Sequence, residues 1–258
     1  MTTVQQVYEH IHHFAPFGTE EPWDNCGLLV GDPNQPVEKV LVALDVTDGV
    51  LQEARQAGVQ LIVSHHPVIF TPLKQVTKDQ IVYQLVAAGI SVISAHTNLD
   101  KAPQGVNYHL ARALKLENVR HFGPVVETEV GKASLGRLGD LPAEKSVAQL
   151  AQLAKERLGC GAAEYVECPQ PVRTVAVVGG TGGDFLEQAK AQGAQCLVTA
   201  DVKHNQFLQA AHMGMGIIDA GHYSTEHVIC EPLAQWIAKL VPQTWVAKCS
   251  GEPFDWVR

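Results

Sequence analysis

Apolar positions along the chain follow two rhythms. Short unbroken runs occur at 40–44, 61–63, 175–178 and 196–198, and further runs centre on 90–93 and 217–218. Such runs, bounded by polar residues or glycine, read as buried strands. Between them apolar residues recur at helical spacing, as with Leu51 and Ala54 ahead of Gly58, and Leu186 and Ala189 ahead of Gly193. Each segment therefore predicts strand, turn, amphipathic helix ended by glycine, and a second strand.

The segments are also copies of one another. Residues 39–64 align without a gap on 174–199 at an offset of 135, and residues 89–95 align on 214–220 at an offset of 125. Val40, Val42, Leu51, Ala54, Gly58 and Val63 match Val175, Val177, Leu186, Ala189, Gly193 and Val198. A period this long denotes a duplicated α/β unit rather than a solenoid. The expected architecture is α/β: two pseudo-symmetric domains with mostly parallel sheets flanked by helices. The halves are expected at 1–124 and 125–258, with a soft join at 123–131. The last helix, near 228–240, and the strand at 244–246 could pack on either half.

Chemistry gathers where the runs stop. His65 and His66 follow the run at 61–63, His96 and Asp100 follow that at 90–94, and His222 and Glu226 follow that at 217–220. The carboxyl ends of strands are where open α/β sheets bind ligands. Imidazole and carboxylate without thiolate suit Zn, Mn, Fe, Co or Ni at a catalytic centre. Neighbouring strand residues face opposite ways, so His65 and His66 suit two adjacent ions rather than one. His222 and Glu226, four apart, share a face of a helix beginning at His222. His65, His66, Asp100, His222 and Glu226 thus form a candidate ligand set for two divalent ions. Glu226 is the candidate bridge. Because both halves offer polar strand ends, a site between them is expected. An isolated His-His pair would read as ordinary structural polarity; three such strand ends in a repeat favour metal.

Weaker signals surround this set. Asp201, Lys203 and His204 follow the run at 196–198 and suit acid/base or positioning roles, or simply a solvated helix start. His96 could line the site or serve as a structural histidine. Asp45 and Thr47 could cap a helix. The glycine-rich 179–183 joins strand to helix, where backbone amides can hold phosphate, although a tight turn explains it equally. His10, His12 and His13 are expected on the surface of the first helix.

Composition narrows the function classes. The 258 residues are 46% hydrophobic and 18% charged with a formal charge of −8, a globular balance that excludes nonspecific nucleic-acid binding. No apolar run reaches membrane-spanning length, and residues 1–6 lack signal-peptide character, so a cytoplasmic location is expected. The six cysteines show no C-x-x-C spacing and read as ordinary thiols in a reducing compartment.

Five phrases tie the chain to a family. They are Trp23-Asp24-Asn25-Cys26-Gly27, then Ser64-His65-His66-Pro67 with Ile69-Phe70 and His96-Thr97-Asn98-Leu99-Asp100, and finally Asp219-Ala220-Gly221-His222-Tyr223-Ser224-Thr225-Glu226. Together they resemble the GTP cyclohydrolase I type 2 family, the NGG-interacting-factor-three-like dinuclear metal proteins. The resemblance implies two related α/β domains, a two-metal site between them held by His65, His66, Asp100, His222 and Glu226, and a ring-shaped homohexamer. It also implies a hydrolase that opens the guanine ring of GTP by attack at C8 and releases formate. Ala200 stands where the family usually has glycine and Asn205 where a second histidine is common, which bears on Asp201–Asn205 rather than on the ligands. The same donors would serve a phosphoesterase, a damaged-nucleotide hydrolase, or a metal-binding scaffold without turnover.

Overall fold

The computed structural model describes residues 1–254 and divides into two compact units. The first is Met1–Leu99 with Ile229–Gly251; the second is Asp100–Val228 with residues 252–254.

The first unit is built on a five-stranded sheet in the order Gln243–Val246, Lys39–Ala43, Leu61–Ser64, Ser91–Ser94, Gly27–Val30. The first four strands are parallel, and Gly27–Val30 closes one edge antiparallel. All four residues of Leu61–Ser64 are buried, as expected of a parallel strand covered on both faces. The helix Asp48–Ala57 starts where the Thr47 hydroxyl accepts the Val50 amide, and stops at Gly58, whose φ of 66° only glycine adopts readily. Its Val50, Leu51 and Ala54 pack against Leu41, Ile62 and Val92 of the sheet.

The C-terminal segment belongs to this unit. Gln243–Val246 adds a parallel strand beside Lys39–Ala43. Trp236 of the helix Cys230–Ala238 stacks on His10 and donates its Nε1–H to the His10 carbonyl at 3.0 Å. His10 is thus half-buried against an aromatic partner instead of lying free on the surface. The ring nitrogen of His12 accepts the Phe17 amide at 3.1 Å, which ties that residue down as well.

The second unit holds a six-stranded sheet in the order Glu117–Thr128, Gly131–Lys145, Val172–Thr181, Cys196–Ala200, Gly216–Asp219, Glu164–Val166. Its three central strands 172–181, 196–200 and 216–219 are parallel, but both flanks are antiparallel. The architecture is therefore α/β with mixed sheets flanked by helices, more antiparallel in the second unit than the repeat implied. The added hairpin of Glu117–Thr128 and Gly131–Lys145 is the cause, and it also moves the boundary. By pairing onto Val172–Thr181 it draws the segment before residue 124 into the second sheet, so the units part at Leu99/Asp100 instead. Leu110 and Ala111 of the helix Val106–Ala113 lie in the same core as Val175 and Val198.

Sequence repetition becomes repetition of register. Val40 pairs with Leu61, and Leu61 with Ser91. In the second unit Val175 pairs with Cys196, and Cys196 with Gly216. The offsets of 135 and 125 carry one set of partners onto the other. Among the described residues no helix is long and apolar enough to cross a membrane.

Candidate metal centre

In the first unit the chain leaves Leu61–Ser64 still bonded to its neighbour. The His65 amide donates to Ala43 O at 3.1 Å and the His66 amide to Leu44 O at 2.9 Å. This continuation fixes both side chains at the carboxyl edge of the sheet. The His65 side chain is buried, with its residue 1% exposed, and its Nδ1–H donates to Ala95 O at 2.9 Å. His66 Nδ1 lies 2.7 Å from Asp45 Oδ1. His96, at the end of the next strand, places Nδ1 2.8 Å from Asp24 Oδ1. The three rings offer nitrogens that lie within 4.8 Å of one another. His96 therefore joins His65 and His66 in one cluster.

Asp24 anchors this corner. Burial alone would raise its pKa, but hydrogen bonds from His96 and Thr97 outweigh it and hold the carboxyl well below the usual range. The neighbouring Cys26 behaves oppositely: burial pushes its thiol up to about 12, and its Sγ–H donates to Asp24 Oδ2 at 3.2 Å. It stays protonated at neutral pH, so the donors here remain imidazoles.

In the second unit Asp100 is buried on the short helix Thr97–Lys101. The fully buried Asn107 fixes the backbone around it. Its Nδ2 donates to Leu135 O at 2.5 Å and reaches Asp100 O at 3.4 Å, while its Oδ1 accepts the Gly179 amide at 2.7 Å. Arg137, also buried, donates to Ala102 O at 2.8 Å and to the Ser134 carbonyl and hydroxyl at 2.7 Å each. Burial pulls its guanidinium down to about 10, still protonated at neutral pH.

His222 opens the helix His222–Glu226, as its spacing predicts. Its Nδ1 meets Asp201 Oδ2 at 2.6 Å and its Nε2 meets Glu226 Oε2 at 3.0 Å. Burial alone would lower the His222 pKa; the hydrogen bonds and charges of Glu226 and Asp201 outweigh it and raise the ring to about 9. Glu226 is 3% exposed. Asp201 sits at a φ of 50°, a left-handed conformation that aspartate tolerates better than most residues, and it also accepts the Thr181 hydroxyl at 2.7 Å. Burial would raise its carboxyl, but the bonds from His222 and Thr181 lower it.

The remaining sequence candidates separate. Asp201 contacts His222 directly. Lys203 precedes the helix His204–Met213 and His204 begins it, both exposed; the buried member of that stretch is Gln206, whose Oε1 accepts the Lys203 amide. The glycine-rich segment is not an open phosphate cradle. The amides of Gly179, Gly180 and Gly182 donate to Asn107 Oδ1, Thr225 Oγ1 and Thr199 Oγ1. Gly180 serves close approach instead: a Cβ there would lie 2.2 Å from Glu226 Oε1. Thr47 caps the helix, which leaves Asp45 to orient His66.

One pattern unites the four histidines. In each, Nδ1 faces an oxygen: Ala95 O, Asp45, Asp24 or Asp201. A carbonyl or carboxylate can only accept there, so Nδ1 donates, which in a neutral ring leaves the lone pair on Nε2; in His222, raised to about 9, Nε2 carries a proton as well and shares it with Glu226. This is the outer arrangement typical of metal-binding histidines. At His222 the Nε2 faces a buried carboxylate, a place where a cation competes with the ring proton. The donor chemistry therefore fits divalent metal. Asp24 and Asn107 were not singled out from sequence. The first lay within the family phrase Trp23–Gly27 without being assigned a role, and nothing local signalled the second.

Comparison with known proteins places the chain among relatives. A GTP cyclohydrolase 1 type 2 homolog of Clostridium perfringens is 30% identical over 98% of this chain and 99% of its own length. The GTP cyclohydrolase 1 type 2 of Helicobacter pylori is 34% identical over 88% of each chain. A crystal structure of a Staphylococcus aureus protein matches with a TM-score of 0.91 at 28% identity, covering 99% of both chains. The family model for Duf34/NIF3 (NGG1p interacting factor 3) spans residues 2–251, and the chain belongs to that family.

Proposed function

We propose that this protein is a dinuclear metal-dependent hydrolase acting on a nucleotide or related heterocycle, with ring opening of GTP as the first substrate to test. The observation that carries the reading is the shared orientation of four imidazoles, each with Nδ1 committed to an oxygen acceptor. The five ligands read from the sequence, His65, His66, Asp100, His222 and Glu226, would hold two divalent ions, drawn from Zn, Mn, Fe, Co or Ni. Such ions supply a water of lowered pKa and polarise the substrate. The names carried by the relatives support the choice of GTP. A homohexamer in the cytoplasm belongs to the same reading.

The protein's own groups then have separable tasks. Asp45 and Asp201 keep His66 and His222 in the tautomer that presents Nε2. His96, oriented by Asp24, is the ring to accept or return a proton as the heterocycle is attacked. Buried Glu226 lies close against Gly180, where the lack of a Cβ leaves room for its carboxylate.

The test joins elemental analysis to product detection. About two divalent ions per chain and formate release from GTP, abolished by chelation and restored by added metal, are expected. Free phosphate without formate would replace GTP ring opening by phosphoester hydrolysis. A metal-loaded protein that turns over neither GTP, related purines nor simple phosphoesters would leave a metal-binding scaffold.

A further inference from the structure

Beside the imidazole cluster of the first unit stand two large aromatic side chains that water should not be left to cover. Trp23 is 61% exposed and Phe70 51% exposed. Scattered apolar residues on a surface are ordinary, but an adjoining aromatic pair at a cluster of imidazoles is not. Their ring centroids are 6.1 Å apart, edge to face at 63°. Each ring also meets His96 edge to face at 6.3 Å. His96 in turn lies 5.2 Å from His65 and 5.6 Å from His66. The apolar surface therefore abuts the proposed chemistry directly.

The pair is also held in place. Asn25 Nδ2 donates to Ile69 O at 2.5 Å, linking the loop of Trp23 to the loop of Phe70. Asp24, between Trp23 and Asn25, is fixed by His96 and by the backbone and hydroxyl of Thr97. The Glu21 amide donates to the same Thr97 hydroxyl at 2.9 Å. Exposed aromatic rings on loops anchored this way present their faces without the entropy cost of ordering them on binding.

We propose that Trp23 and Phe70 form a stacking wall that takes the planar heteroaromatic ring of the substrate and sets it beside His96. The proposal rests on the hydrolase reading and deepens it: recognition falls on the ring, not on a phosphate tail. Stacking on an aromatic face tolerates any base, because every base has a π-face, so the wall selects a class of substrate rather than one purine.

The experiment measures binding of guanosine, adenosine, uridine and ribose 5-phosphate to the full chain, metal-loaded and after chelation, by calorimetry and tryptophan fluorescence. Nucleosides should bind the metal-loaded protein and ribose 5-phosphate far more weakly. Trp23→Ala should weaken nucleoside binding roughly 5- to 150-fold, the range for loss of one stacked aromatic, with Phe70→Ala acting in the same direction. Trp23→Phe should restore most of the loss. Metal content, thermal midpoint and mass by light scattering should stay unchanged in all three variants. Unchanged nucleoside affinity in Trp23→Ala and Phe70→Ala overturns the proposal, as does failure of every nucleoside to bind the native protein. A fall in oligomer mass in both variants would assign the rings to a subunit contact and overturn it equally. Nucleoside binding that survives in a protein shown to hold no metal would sustain the wall while removing the hydrolase reading.

Discussion

The strand ends of the two units occupy equivalent places in a repeated framework and carry different donors. Where the first unit has His65 and His66, the second has Ala200 and Asp201; where the first has Thr97, the second has His222. The carboxylate that orients a histidine has moved as well. In the first unit Asp45, after the first strand of the repeat, orients His66, after the second. In the second unit Asp201, after the second strand, orients His222, after the third. The repeat counterpart of Asp45 is Gly180, at a left-handed φ of 61°, where a Cβ would lie 2.2 Å from Glu226 Oε1, so a side chain there would be strained and would displace that carboxylate. Duplication thus fixed where a donor can stand, while packing against neighbours decided which donor stands there. One unit became rich in imidazole and the other in carboxylate.

The strongest way to break this comparison is to remove a donor from each side. Glu226→Ala should lower metal content the most, affecting both ions if the carboxylate bridges them. His65→Ala should lower it by one ion or more. Elemental analysis showing full occupancy in both variants would take these residues out of the site. Cys249→Ser, at an exposed thiol, is the control and should leave metal content unchanged.

The shared framework is tested at Ile62 and Leu197, repeat counterparts that are both fully buried at the centre of their sheets. Truncating either to alanine should cost about 2–5 kcal/mol, the usual range for a large buried aliphatic. Denaturant unfolding measures both. A near-neutral value at one position would show that the two cores are not equivalent in tightness, despite equal register.

The displaced carboxylates offer a finer comparison. Asp45→Asn and Asp201→Asn keep the shape but weaken the acceptor that orients each imidazole. Each should reduce metal affinity about 10- to 100-fold, the range for loss of such an outer partner. Competition with a chromophoric chelator measures it. If Asp201→Asn has the larger effect, the more exposed second-unit histidine depends more on its carboxylate.

How much of this was legible in the sequence follows from what each feature depends on. The repeat strands were legible because both faces of 61–64 and 196–200 are covered, which leaves an unbroken apolar run. The spacing of His222 and Glu226 was legible because one helical turn brings them together. The strand Glu117–Thr128 was not, since nearly every residue in it is exposed or half-exposed and no alternation marks it. Without that strand the boundary was drawn too late and the second sheet expected too parallel. Asp24 and Asn107 act across more than 70 residues, on His96 and on the Gly179 amide, and no local pattern announces such bonds. The glycines at 179–183 have the composition of an anion loop, yet their amides are spent on Asn107, Thr225 and Thr199. Sequence shows glycine; only the fold shows what its N–H faces.

The smallest expected effect separates the units by their response to acid. In the second unit, burial and the charge of Arg112 lower the His109 pKa to about 4. Unfolded, the ring titrates near 6.5. Between these values the unfolded chain binds the extra proton and the folded one does not, so stability falls as pH drops from 6.5 towards 4. In the first unit Asp24 is depressed instead: its contribution is intact above the ordinary carboxylate range near pH 4 and is lost only below it. Acid should therefore loosen the helix Val106–Ala113 before the corner around Asp24. His109→Gln should reduce the pH dependence of stability between 6.5 and 4, with part of it kept by His121 and His227, whose pKa values burial also lowers, while leaving the loss below pH 4 in place. Asp24→Asn should do the reverse. Hydrogen exchange followed along the chain from pH 7 to 4 reads both regions in one series. Parallel loss of protection in the two regions would mean that neither group governs its unit's response to acid.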